Sequence, residues 1–66
     1  MELYLNGELR RFEDGIRISD LTLALGLDGQ RFAVEVNRRI VPKGLHGDHV
    51  LQNGDRVEII QAIGGG

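Results

Sequence analysis

Asn53-Gly54-Asp55-Arg56-Val57-Glu58-Ile59-Ile60-Gln61-Ala62-Ile63-Gly64-Gly65-Gly66 reads as a sharp turn, a strand and a run of glycine. Asn-Gly-Asp supplies residues that tolerate the backbone angles of a tight turn. From Arg56 to Ile63 the pattern alternates. Val57 and Ile59 fall on one face, to be buried, and Glu58, Ile60 and Ala62 on the other, to be left open. Gly64, Gly65 and Gly66 have no side chains, so this tail is thin and conformationally free. Extended, three residues reach roughly 10 Å. The reactive group expected there is the α-carboxylate of Gly66, on a stem slender enough to enter a narrow tunnel. The plainer reading is a frayed terminus without a task.

The rest of the chain is read for what it places beside this strand. Met1 to Asn6 alternates, with Leu3 and Leu5 on one face and Glu2, Tyr4 and Asn6 on the other. Asn6-Gly7 is a strong hairpin signal, because a type I′ turn needs positive φ at both central positions. A second strand is expected from about Glu8 to Glu13, although Leu9 and Phe12 fall on opposite faces, which calls for a bulge or an early end. Ile18-Ser19-Asp20 reads as a helix start with Ser19 as cap. Ile18 is expected to staple onto Leu23. Leu21, Ala24 and Leu25 share a face, and Gly26 is a left-handed stop. A helix of about two turns is marginal alone and must dock on a sheet. A third strand is expected from Arg31 to Asn37 and a short fourth around Ile40-Val41, ended by Pro42, which has no N–H to give. Lys43 to Gln52 reads as loop with one helical turn.

Strand, strand, helix, strand, strand, strand predicts a two-layer α+β domain. One short helix packed on one face of a mixed five-stranded sheet is the β-grasp arrangement, with the first and last strands side by side at its centre. The expected interior is Leu3, Leu5, Ile18, Leu21, Leu25, Val34, Val36, Ile40, Val57 and Ile59. Residues 1–63 are taken as the domain and 64–66 as a flexible tail.

Composition narrows the function. The chain has 66 residues, 41% hydrophobic and 27% charged, as for one small globular domain. A domain of this size has little room for a deep catalytic cleft. Without cysteine it has no thiolate nucleophile, no disulfide and no Cys-based metal site. Net charge is −2, and the basic pairs Arg10-Arg11 and Arg38-Arg39 are small, so nucleic acid is not an expected partner. No apolar run approaches the ~20 residues that span a bilayer, so no membrane partner is expected. The strand pattern starts at Met1 without a signal-peptide pattern, which predicts a cytoplasmic setting. His46-x-x-His49 offers two ligands where zinc usually takes four. Asp14, Asp20 and Asp28 are scattered over a turn, a helix start and a loop, which suits capping or solvation.

Over its whole length the chain resembles the sulfur carrier proteins of thiamine biosynthesis, the ThiS family of ubiquitin-like β-grasp proteins. Asn6 closing the first strand, Ile18-Ser19-Asp20-Leu21 opening the helix and Val34-Glu35-Val36-Asn37-Arg38-Arg39-Ile40-Val41-Pro42 carry the resemblance. So do Asn53-Gly54-Asp55-Arg56-Val57 and the terminal Gly65-Gly66; Gly64 is an extra glycine before the usual pair. The resemblance implies a carrier, not an enzyme. A ThiF-type adenylyltransferase, using ATP and Mg, adenylates Gly66; this chain binds no cofactor itself. Sulfur relayed from a cysteine desulfurase converts Gly66 to a thiocarboxylate, and thiazole synthase takes the sulfur for the thiazole ring. Ile60, Ala62, Ile63 and Glu58, with Glu35 nearby, are the expected partner-binding residues. The alternatives are the small subunit of molybdopterin synthase, with the same tail chemistry, and a ubiquitin-like docking module with no covalent chemistry.

Overall fold

The computed structural model describes residues 1–61. β1 (Glu2–Leu5), β2 (Glu8–Arg11), α1 (Ile18–Ala24), β3 (Phe32–Val36), β4 (Arg39–Val41), a single 3₁₀ turn (Lys43–Leu45) and β5 (Arg56–Gln61) follow in that order. The expected readings of Ala62, Ile63 and Gly64–Gly66 lie outside the described residues.

Two hairpins set the strand registers. Asn6 (φ 49°) and Gly7 (φ 85°) form the two-residue loop between the paired Leu5 and Glu8. Both central residues have positive φ, which matches the twist of the flanking strands. The second loop, Asn37 (φ 52°) and Arg38 (φ 69°), joins the paired Val36 and Arg39. A non-glycine residue such as Arg38 is uncommon in this region, and Asn37 beside it is stitched to the start of β5. The Asn37 N–H donates to the Arg56 carbonyl at 2.7 Å, its Oδ1 accepts from the Arg56 N–H at 2.9 Å, and its Nδ2 donates to Asp55 Oδ1 at 3.0 Å.

The sheet order is β2-β1-β5-β3-β4. β1 and β5 run parallel, and the other neighbouring pairs are antiparallel. β5 is the middle strand, with β1 against one edge and β3 against the other, so the sheet is mixed as the sequence predicts. Together with α1 on one face this is a ubiquitin-like β-grasp fold.

The core lies between α1 and the inner sheet face. Leu3, Leu5, Val34, Val36, Val41 and Val57 come from the strands, Ile18 and Leu21 from α1, and Leu51 from the loop before β5. Leu25 and Ile59 are only partly buried against this cluster. Ile40, expected inside, is 69% exposed. The two-residue loop is the reason: it sets Val34 opposite Val41 and Glu35 opposite Ile40, and directly paired residues share a face. A one-residue difference in register exchanges inside and outside. β2 ends at Arg11 rather than Glu13, so Leu9 can face outward while Phe12 packs against the core.

The helix also starts earlier than expected. Arg17, not Ser19, is the capping position, and its N–H donates to Asp20 Oδ2 at 2.9 Å. The buried stripe is therefore Ile18, Leu21 and Thr22, continued by the half-buried Leu25, which is i, i+3, i+4, i+7 spacing. Ala24 and Leu23 are exposed, so there is no staple from Ile18 to Leu23. Thr22 is tolerated inside because its hydroxyl donates to the Ser19 carbonyl at 3.2 Å. Gly26 (φ 75°) ends the helix as a left-handed residue.

Candidate functional site

The face of the sheet away from α1 is built by strand alternation. On β5, Val57 points into the core, so Arg56, Glu58 and Ile60 point to the open side. Their partners across the ladders fix what surrounds them. Ile60 pairs with Ala33, whose single methyl group leaves the larger side chain standing clear of the sheet, and Ile60 is 52% exposed. Glu58 pairs with Glu35, and Glu35 in turn with Ile40. Two like charges directly opposite work against the sheet, so the pair places two carboxylates beside Ile60 at some expense in stability. Further across, Arg56 lies over the Tyr4 ring at 5.6 Å, and Tyr4 pairs with the exposed Leu9.

Glu58, Ile60 and Glu35 are thus brought to one face. Ala62, Ile63 and the glycines follow in the sequence and lie outside the described residues. Reading the sequence missed Ile40 as part of this face. The signal that could have found it was the Asn37-Arg38 pair, whose length as a hairpin loop sets the register of β4. Tyr4 was legible from alternation with Leu3 and Leu5, whereas the outward face of Leu9 follows only once β2 ends early.

The end of β5 is held on both sides by side chains. Ile59 N–H donates to Asn6 Oδ1 at 2.8 Å, and Gln61 Nε2 donates to Gln30 Oε1 at 2.8 Å. His46 is buried, its Nε2 donating to the Val41 carbonyl at 2.9 Å and its ring stacked on Phe32 at 6.0 Å, so it is a core residue. Among the described residues no three His, Asp or Glu side chains gather as a metal cluster. No helix there is long and apolar enough to cross a membrane.

A small β-grasp domain with an apolar residue, Ile60, exposed near the end of its middle strand, and with three glycines further on in the sequence, has the form of a ubiquitin-like carrier. The model of the ThiS family matches residues 3–66. The chain belongs to the ThiS family. It is 27% identical to the sulfur carrier protein ThiS of Escherichia coli (strain K12), with both chains covered in full. It is 39% identical over 66 residues to a thiazole synthase of Magnetococcus marinus, and 41% identical to one of Paramagnetospirillum magneticum. The chain spans 20% of the length of each of these synthases. The crystal structure of a thiamine biosynthesis protein (ThiS) from Geobacter metallireducens superposes with a TM-score of 0.85 at 25% identity, each chain fully covered.

Proposed function

We propose that this domain is a sulfur carrier of thiamine biosynthesis and that Gly66 is the residue that carries the sulfur. The observation that supports this most is the family match, which runs through the glycine tail to residue 66. A carboxylate is a poor electrophile. In the proposed sequence an oxygen of Gly66 attacks the α-phosphorus of ATP on a ThiF-type adenylyltransferase, pyrophosphate leaves, and an acyl-adenylate results. A persulfide sulfur supplied by a cysteine desulfurase relay then displaces AMP, and thiol cleavage of the acyl disulfide leaves the thiocarboxylate. Thiazole synthase is the proposed recipient. The two synthases that contain a segment matching this whole chain favour it over the molybdopterin alternative. ATP and Mg belong to the activating partner in this scheme. The carrier contributes proximity, by delivering one terminal atom. Residues 1–63 act as the handle and 64–66 as the part that enters the partner.

Ile60 is the proposed anchor of the handle, with Glu58 and Glu35 steering encounter and Ala62 and Ile63 continuing the contact toward the tail. The few residues that anchor an interface each account for about 2 kcal/mol or more, so with Ile60 as that anchor Ile60→Asp is expected to slow adenylation at sub-saturating carrier by about thirtyfold. Its melting curve should stay close to that of the parent, because Ile60 is half in solvent. Pyrophosphate release measured with the activating enzyme tests both parts. No release with the unaltered chain would contradict the carrier function. Equal rates for the two chains would place recognition in the tail alone or elsewhere on the domain, and not at Ile60.

A further inference from the structure

The ladder between β1 and β5 ends in an irregular step. Asn37 N–H donates to the Arg56 carbonyl, so Arg56, Glu58 and Ile60 turn their backbone groups toward β3, and Val57, Ile59 and Gln61 turn theirs toward β1. On the β1 side, Tyr4 N–H donates to the Asp55 carbonyl and Asn6 N–H to the Val57 carbonyl, each at 2.9 Å. In a regular parallel pair the next bond would run from Ile59 N–H to the Asn6 carbonyl. At Asn6 the chain is already turning, with φ 49°, into Gly7. The Asn6 side chain takes over instead, its Oδ1 accepting from Ile59 N–H at 2.8 Å. Among the described residues no strand lies beside that edge of β5 past this point, because β1 ends at Leu5.

We propose that Asn6 is a positioning residue for the tail: among the described residues its carboxamide is the last clamp on the β1 edge of β5, and it sets the direction in which the chain leaves the sheet toward Gly66. The proposal rests on the carrier function above. The position makes two demands, a positive φ and a side-chain acceptor within reach of Ile59. Asparagine meets both. Glycine meets the first alone, and aspartate keeps the acceptor oxygen and also tolerates the turn. If Asn6 were only a turn-former, glycine would serve equally well.

The experiment compares the unaltered chain with Asn6→Gly and Asn6→Asp, each first shown to be folded by its melting curve. Amide hydrogen exchange reads the clamp directly. In Asn6→Gly the Ile59 amide is expected to exchange about fivefold faster or more, the factor for losing one hydrogen bond of this kind, while the Ile60 amide on the β3 edge is unchanged. With the adenylyltransferase, Asn6→Gly is expected to lower kcat several-fold and leave KM in place, because the docking face is intact and only the delivery angle is looser. Asn6→Asp should recover most of both. Unchanged Ile59 exchange in Asn6→Gly, or a kcat equal to that of the unaltered chain, overturns the proposal. Absence of adenylation in the unaltered chain contradicts the carrier function instead, and the exchange rates still decide whether Asn6 clamps β5.

Discussion

Removing Gly66 is expected to lower ATP-dependent adenylation by at least about a hundredfold, since misplacement of a reacting group by even 1 Å can cost that much. The shortened chain still ends in a glycine carboxylate, that of Gly65, so the chemistry on offer is unchanged. What changes is reach. One residue of extended chain is roughly 3.5 Å, and β5 is fixed in the middle of the sheet as far as Gln61, so the body of the domain is not expected to advance to compensate without leaving the proposed docking position. Binding to the activating enzyme, measured without ATP, should be largely retained, because Ile60 and the carboxylates around it are untouched. A shortened chain adenylated at the parent rate would show that tail length is not read. Retained binding with no adenylation of either chain would fit a docking module without covalent chemistry.

A large effect on stability is expected at Leu3, one of the largest fully buried side chains. Its side chain is fully buried on the inner face of β1, against α1 and beside β5. Leu3→Ala should cost about 2–5 kcal/mol, the lost transfer energy plus the cavity left behind. At roughly 0.05–0.15 kcal/mol per residue a domain of this size has only about 3–10 kcal/mol in total, so the variant's urea midpoint should fall sharply and a sizeable unfolded fraction is expected on warming. Ile59→Ala should cost less, since Ile59 is only partly buried at the margin of the same core. A Leu3→Ala chain with the parent midpoint would mean that the faces of β1 are reversed.

The strand faces of β1, β3 and β5 were legible in the sequence because period-two alternation is strong in Leu3/Leu5, Val34/Val36 and Val57/Glu58. Turn chemistry announced the first hairpin through Asn6-Gly7. It announced the second less clearly, because Asn37-Arg38 is a two-residue loop with a non-glycine left-handed residue, and the face of Ile40 followed from that loop length rather than from any alternation over three residues. The helix face was misjudged because Thr22, a polar residue, sits in the middle of the buried stripe and is made acceptable only by its bond to Ser19. Leu51 and His46 had no periodic signal. Leu51 enters the core because its N–H donates to the Ile16 carbonyl and Val50 bridges to Arg17, a long-range pairing that ties the loop beneath the start of α1. Of the candidate site, Glu58 and Ile60 could be placed by alternation alone, whereas the Ala33 and Glu35 partners that give Ile60 its surroundings required the β3–β5 register.

The claim at the centre of this account is that Gly66 bears sulfur as a terminal thiocarboxylate. The most direct measurement is the intact mass of the protein made in its own host, with fragmentation to locate any change. The account predicts a species heavier by the difference between one sulfur and one oxygen atom, with the gain confined to Gly66 and lost on alkaline hydrolysis. A single unmodified mass from cells that are actively making thiamine, or a gain placed elsewhere in the chain, would contradict it.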